Sequence, residues 1–362
     1  MKKILALLLI CTLLGTLCSC GSQKGRDFYV LESEEHFASD GTCIQRIEYS
    51  YDSAARMTET ELFMCPMESV YDPATDTYVN KFVPNAPMDS LGSMSVTYDR
   101  FGNVTEIQDK QFLFYGSSGL YTWTMEEGLP TGYEQELFGS VIEGFFETEN
   151  GHITAYYTGL GGQKNYWNIW EYDTMGRLVL ERAKDKTGFA WEVRYHYDND
   201  LLTEVTYRYG GTPIALDHPE WADSLTQGHS YRFSYDASGN LIRAECPGYA
   251  TRVITRDSKG HPTKMTVTTP EDTQEITYDC DANGNIIKAT YEDGSWSAYT
   301  YQKHAATQEQ QAQYHCRHAF LKLNNHQYEI LQRLPGYSFY YYATWIPNPL
   351  LRLPCTILLK YE

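Results

Sequence analysis

The sequence predicts an all-β protein made of antiparallel β-hairpin repeats, which form an open twisted sheet or a short β-solenoid followed by a divergent C-terminal segment. Two observations lead to this prediction. A tyrosine–aspartate motif recurs along most of the chain, and glycines separate short segments rich in aromatic residues. Tyr occurs 31 times and Gly 27 times in the 362 residues, although Gly is normally among the commonest residues and Tyr is not. Aromatic residues favour strands.

The recurring motif reads aromatic or apolar residue, any residue, Tyr, Asp, two residues, Gly, Asn or Arg, and an apolar residue. Its turn residues are Asp99 and Gly102, Asp173 and Gly176, Asp236 and Gly239, Asp257 and Gly260, and Asp281 and Gly284. Incomplete copies lie at 49–52, 195–198 and 299–302. A motif that repeats at short intervals indicates a repeat architecture, in which each unit needs its neighbours in order to bury its apolar face.

Each motif position has a mechanical reason. The two aromatic residues stand two positions apart, so they share one face of a strand. Asp first and Gly fourth are the preferences of a type I turn, in which the Asp carboxylate accepts hydrogen bonds from nearby backbone N–H groups. Each unit is therefore predicted to be a β-hairpin. Two copies depart from the pattern, because Ala55 replaces the turn Gly in one, and in the other Asn199 or a neighbouring Asp must supply the positive φ.

These motifs resemble the YD repeats, also called RHS-like repeats, of bacterial surface and toxin proteins. The resemblance covers roughly residues 47–302. In large members of that family the repeats curl into a shell that encloses a toxin, which self-cleavage releases. The repeats of this chain are too few for a closed shell, and no self-cleavage segment is recognisable. The resemblance therefore implies an open sheet or a short solenoid that is used for binding rather than for release.

The N-terminus carries an export signal. Lys2 and Lys3 precede an uncharged, mostly apolar run at 4–17, which is the layout of a signal peptide and is too short to span a bilayer comfortably. The run ends in Leu-Cys-Ser-Cys, which resembles the lipobox of bacterial lipoproteins. We therefore expect residues 1–19 to be removed, and Cys20 to carry the lipid that holds the protein on the outer face of a bacterial membrane. The alternative is an ordinary cleaved signal peptide.

The remaining sequence divides into three parts. Residues 20–40 are expected to be the lipidated cysteine and a tether, and 41–302 the repeat domain, with a loop insertion near 63–95 and further hairpins near 111–168. Residues 303–362 change character, because they carry six basic and three acidic residues, whereas residues 1–302 carry 23 and 44. This last part is either a native cap over the final hairpin or the product of a shifted reading frame.

Catalytic and cofactor motifs are absent from the sequence. No G-x-S-x-G elbow, P-loop, H-E-x-x-H or paired C-x-x-C occurs. The metal-capable residues at 315–318 have no second cluster to complete a zinc site, and the repeat register explains 281–285 as a turn rather than a calcium loop. The acidic pairs at 126–127 and 271–272 are expected at solvated edges. The sequence therefore predicts no cofactor, no metal and no enzymatic activity.

Charge and aromatic content limit the partners. A net charge of −18 repels phosphate backbones, so nucleic acid is excluded as a partner. Tyr166, Trp167 and Trp170 either fill the core or form a stacking platform for sugar rings, and core packing is favoured. The sequence thus predicts a binding or structural module whose partners are membrane lipid through Cys20 and a glycan or a cell-surface protein. The alternatives are a lipid-anchored enzyme acting on glycans and a remnant of a toxin-delivery protein.

Overall fold

A computed structural model describes residues 26–100, 104–110, 118–127, 129–137, 139–160, 163–184, 189–199, 201–213, 225–248 and 250–306. The expected signal peptide, Cys20, Gly102 and the segment 307–362 lie outside the described residues. Within the described ranges the regular structure is entirely β, which confirms the predicted all-β class. No helix in these ranges is long and apolar enough to cross a membrane.

In the part of the chain that the structure describes, 22 strands follow one another. Their bounds are β1 Arg26–Phe37, β2 Cys43–Tyr51, β3 Met57–Met64, β4 Met67–Asp72, β5 Thr77–Phe82, β6 Asp89–Tyr98, β7 Val104–Lys110, β8 Ser118–Glu126, β9 Leu129–Leu137, β10 Ser140–Glu149, β11 His152–Leu160, β12 Gln163–Tyr172, β13 Leu178–Lys184, β14 Phe189–Asp198, β15 Leu201–Pro213, β16 Leu225–Tyr235, β17 Leu241–Cys246, β18 Ala250–Arg256, β19 Pro262–Thr268, β20 Thr273–Cys280, β21 Ile286–Tyr291 and β22 Trp296–Ala306.

Twenty of these strands form one antiparallel sheet, and this sheet is closed. Each strand pairs with the next around the sheet, β3 pairs with β6, and β1 pairs with both β2 and β22. The β1–β22 register places Tyr29 opposite Lys303 and Phe37 opposite Trp296, whose rings stack with centroids 3.8 Å apart. The prediction of an open sheet or a solenoid is therefore wrong, because the segment before the first motif supplies the closing strand.

The ends of the repeat domain differ from the expected boundaries of 41 and 302. The predicted tether at 20–40 contains β1, in which Val30 is fully buried and Leu31 is 2 % exposed. Strand β22 continues past residue 302 to Ala306, since its last residues pair with the start of β1. Burial of apolar side chains and strand pairing, rather than the motif, decide where the sheet begins and ends.

The two expected insertions differ in structure, because one contains a separate hairpin and the other continues the main sheet. In the range 63–95, the first and last residues extend β3 and β6, and β4 and β5 form a separate two-stranded hairpin between them. This hairpin exposes Tyr78 by 74 % and Met67 by 56 %. In the range 111–168, β8 to β12 continue the main sheet as hairpins without the Tyr-Asp turn.

The repeat turns have the hydrogen bonds of type I turns. The carboxylate of Asp173 accepts bonds from the backbone N–H groups two and four residues further on, both at 2.9 Å, and Gly176 has a φ of 76°. The same carboxylate bonds recur at Asp52, Asp236, Asp257 and Asp281. Ala55 (φ 56°) and Asn199 (φ 50°) adopt the left-handed conformation where the motif lacks its Gly.

The second aromatic position of each repeat ties its strand to the preceding strand of the sheet. The tyrosine hydroxyls donate to backbone carbonyls at 2.6–3.0 Å, from Tyr51 to Leu31, Tyr98 to Met57, Tyr172 to Ile153, Tyr197 to Leu178, Tyr235 to Leu202 and Tyr301 to Ile286. Two repeats lack an aromatic residue at this position. There Arg256 donates to the Leu241 carbonyl at 3.2 Å, and Cys280 donates to the Pro262 carbonyl at 3.4 Å. The second aromatic position of the motif therefore requires a hydrogen-bond donor rather than an aromatic ring.

One face of the closed sheet carries buried side chains from β2 to β14. Residues directly opposite one another on neighbouring strands share a face, and this rule connects Ile47, Met94 and Val193 through the strand register to the same face. These three side chains are only 0–1 % exposed, so other side chains must cover them inside the closed sheet. Such coverage is typical of a packed interior rather than of a wide water-filled channel. The inner face is therefore the hydrophobic core.

The core contains a carboxylic acid. Glu181 is 1 % exposed and stands opposite Trp170 and Val193 in the register. Its oxygens accept bonds from the Asn168 amide at 3.2 Å and the Tyr195 hydroxyl at 3.4 Å. Burial raises the pKa of Glu181 to about 7, because the charged form loses its hydration there.

Loss of the hydroxyl in Tyr235→Phe should lower the free energy of unfolding by about 1 kcal/mol, because it removes the donor to the Leu202 carbonyl. Urea unfolding of the full-length protein measures the change. Tyr78→Phe, on the exposed β4–β5 hairpin, is the matched control and should leave stability unchanged. Equal effects of the two substitutions would contradict a linking role for Tyr235.

The substitution Glu181→Gln should remove a pH dependence of stability. In the unfolded chain a Glu carboxyl has a pKa of about 4.3, so below that pH both states are protonated and stability is at its full value. As the pH rises towards the folded pKa of about 7, the unfolded chain loses its proton first, and stability falls by roughly 3–4 kcal/mol in total. Urea unfolding at pH 4, 6 and 8 checks this; parallel profiles for wild type and variant would rule it out.

Candidate functional site

The outward face of β10, β11 and β12 carries the candidate site. On these strands Phe146, Tyr156 and Asn168 are paired in the register and belong to the buried inner face. Side chains alternate between the faces of a strand, so Phe145 and Tyr157, which are also paired, lie on the outward face.

Three aromatic rings form a row across the three strands. Phe145 lies opposite Tyr157, and Tyr157 lies opposite Tyr166. The centroids of Phe145 and Tyr157 are 5.6 Å apart with an interplanar angle of 29°, and those of Tyr157 and Tyr166 are 5.6 Å apart at 55°. Phe145 is 41 % exposed, and the two tyrosines are half-buried. We call these three residues the aromatic row.

An ion pair lies beside the aromatic row. The ammonium of Lys164 is bonded to the Glu147 carboxylate and lies 4.7 Å from the centre of the Tyr157 ring. The Tyr166 hydroxyl donates to the same Glu147 oxygen at 3.1 Å. The bond to Glu147 raises the pKa of Lys164, and burial followed by the same carboxylate raises the pKa of Tyr166. Both groups therefore keep their protons, and they hold Glu147 in one position.

A cleft of about 860 Å³ adjoins the row and extends towards the turns at the end of β10 and β12. Its lining includes Glu147, Glu149, His152, Ala155, Tyr166 and Ile169. Ala155 stands opposite both Glu147 and Ile169 in the register, so these three share the outward face. The cleft thus combines an apolar floor with carboxylates, and its volume lies in the range of small-molecule sites.

The cleft is acidic. Besides Glu147 and Glu149, it is lined by Glu171 and Asp173. Glu171 pairs with Arg182 at 3.0 Å, and hydrogen bonds from the Arg177 backbone and side chain lower the pKa of Asp173. Carboxylates repel anionic ligands and accept hydrogen bonds from hydroxyl or ammonium groups.

The three residues for which the sequence favoured core packing over a stacking platform lie in three different environments. Tyr166 belongs to the aromatic row. Trp167 is partly buried against the core, and its indole N–H donates to Thr158 at 2.9 Å. Trp170 is 2 % exposed on the inner face, so its ring fills the core and has no free face for a sugar. Phe145 and Tyr157 were missed, because equal spacing about 150–151 pairs Phe145 with Tyr156, and only the bulge between Glu147 and Thr148 brings Phe145 opposite Tyr157.

The other candidate sites remain dispersed. Both acidic pairs, 126–127 and 271–272, are exposed. Asp281 makes the turn bonds to Asn283 and Asn285. Across the described ranges, no three His, Cys, Asp or Glu side chains cluster as a metal site would require. The metal-capable residues at 315–318 lie outside the described residues.

No protein-family model matches the chain, and no curated protein matches its sequence. A solved porin-like protein from Bacteroides uniformis is similar over 77 % of this chain and 96 % of its own, with 13 % identity and a TM-score of 0.32. A Photorhabdus luminescens Tc holotoxin pore is similar over 71 % of this chain, with 13 % identity and a TM-score of 0.28. A TcdB2–TccC3–Cdc42 complex is similar over 76 %, with 13 % identity and a TM-score of 0.25. This chain spans 15 % and 18 % of the matched chains in these last two structures, and similarity at this level does not show a shared family.

Proposed function

We propose that this protein is a lipid-anchored surface protein of the bacterial envelope that binds carbohydrate through the aromatic row, without catalysis. The observation that carries the proposal is the alignment of Phe145, Tyr157 and Tyr166 on the outward face. The core lies on the opposite face, so these rings do not contribute to it. Aromatic rings offer apolar area with little conformational entropy to lose, and they suit the apolar faces of sugar rings.

The position of the expected lipid agrees with display at a membrane. Cys20 precedes Arg26, the first residue of β1, by six residues, which span at most about 20 Å. Strand β1 pairs on both sides, so this short tether would end directly at the closed sheet. Two acyl chains on Cys20 would hold the protein stably at the bilayer.

The topology gives the anchored protein an orientation. The sheet is antiparallel, so alternate connections lie at opposite ends. Arg26 lies at the same end as the Tyr-Asp turns, and the β4–β5 hairpin lies at the other. An anchor at Cys20 would therefore place the turns towards the membrane and the hairpin away from it, with the aromatic row on the side of the sheet.

A glycan-cleaving enzyme is the second candidate, favoured by one observation. Glu147 and Glu149 stand two positions apart on β10, so they share a face of the strand, and both line the cleft. Most glycoside hydrolases use a pair of carboxyl side chains that flank the scissile bond. Release of new reducing ends by the wild type, lost in Glu149→Gln, would replace binding by hydrolysis as the function.

The anchor is tested through Cys20. Wild-type protein expressed in a bacterium that processes lipoproteins should incorporate labelled palmitate and fractionate with membranes. Cys20→Ala should lose the label because the acceptor thiol is gone, whereas Cys18→Ala is the control and should keep it. Labelling that persists in Cys20→Ala would refute anchoring at this residue.

Binding is tested on a glycan array with the full-length protein in detergent. Tyr157→Ala should weaken binding at least tenfold, about 1.4 kcal/mol, because the central ring of the row is lost. Tyr78→Ala removes an exposed tyrosine on the β4–β5 hairpin and should bind like the wild type. An unchanged signal for Tyr157→Ala would place the binding surface elsewhere.

A further inference from the structure

The aromatic row is already in contact with an ammonium group, which belongs to the protein itself. Lys164 places its charge over the Tyr157 ring at 4.7 Å while it pairs with Glu147, which also holds the Tyr166 hydroxyl. A ring face combined with a carboxylate is the arrangement by which proteins recognise cationic ligands. The position of the Lys164 ammonium therefore marks a site built for a positive charge.

We propose that the ligand of the aromatic row is a saccharide with a free amino group, whose ammonium takes the place of Lys164 against Tyr157 and Glu147. This inference rests on the proposed carbohydrate-binding function and specifies its ligand class. The sugar ring lies on the row, the ammonium pairs with Glu147, and neighbouring hydroxyls reach the carboxylates of the cleft. Lys164 thereby acts as an internal competitor in the ligand-free protein.

Lys164 is able to leave this position at low cost. Its side chain is 51 % exposed, it stands on a flexible four-carbon stem, and its charge can be hydrated fully once released. Exposed ion pairs contribute little net free energy because water and salt screen them. The Tyr166 hydroxyl still holds Glu147 after Lys164 moves, so the carboxylate stays in place for the ligand.

The surrounding charges favour a cation over a neutral or an anionic sugar. Glu149 is exposed and lines the cleft that adjoins the row. Glu171 and Asp173 line the same cleft but are paired with Arg182 and Arg177. With Lys164 displaced, Glu147 loses its partner cation, and the whole chain carries −18. An ammonium gains from this field, whereas a uronic acid or a sulfated sugar is repelled.

The experiment compares two trisaccharides of equal length, one of glucosamine and one of N-acetylglucosamine, titrated into the full-length protein in detergent at pH 6 and low salt. The glucosamine trimer should bind at least tenfold more tightly, and added salt should reduce this preference. Lys164→Ala should tighten its binding several-fold by removing the competitor, and Glu147→Gln should weaken it. Lys288→Ala is the matched control, since Lys288 also lies over a ring, that of Trp296 at 4.8 Å, but not at the site.

Each other outcome overturns the inference in a distinct way. Equal binding of the two trimers refutes the amino-sugar preference and leaves the carbohydrate-binding function intact. Failure of both trimers, together with a blank glycan array, refutes the function as well. Weaker binding of the glucosamine trimer by Lys164→Ala would show that Lys164 contacts the ligand rather than competing with it. Lys164→Gln keeps most of the side chain without its charge, so the same change in both variants would exclude an effect on folding alone.

Discussion

The pairing of β1 with β22 is the constraint on which the rest of the structure depends. These two strands lie at opposite ends of the described chain, and their antiparallel register runs from Arg26 opposite Ala306 to Phe37 opposite Trp296. Without it, the sheet would present two long unpaired edges, which invite aggregation. With it, every strand of the main sheet has two neighbours, and the apolar faces enclose a common interior.

The repeats make this closure possible because each one links itself to its neighbour. The Asp carboxylate stabilises the turn by accepting backbone hydrogen bonds. The residue at the second aromatic position donates a hydrogen bond to a carbonyl of the preceding strand. Arg256 and Cys280 show which property matters, since neither is aromatic and both reach the equivalent carbonyl. Irregular repeats are therefore tolerated, provided that the turn geometry and this one hydrogen bond remain.

The candidate site follows from the same alternation of faces. Because the inner face takes up Phe146 and Tyr156, their neighbours Phe145 and Tyr157 must point outwards. Packing thus separates adjacent aromatic residues into a structural set and a set available to a ligand. The outward rings are held by rigid strands rather than by loops, which limits the entropy that ligand binding would cost.

The sequence alone determined the hairpins, the Asp-Gly turns and the left-handed residues Ala55 and Asn199, because these depend on interactions within a few residues. It did not reveal β1, which carries no motif and pairs on one side with residues 259 to 280 positions further along the chain. It also did not reveal that Tyr166 and Trp170 lie on opposite faces of β12, because the bulge between Tyr156 and Tyr157 shifts the register there. Closure and the assignment of side chains to faces depend on pairing between distant strands, so only the tertiary structure decided them.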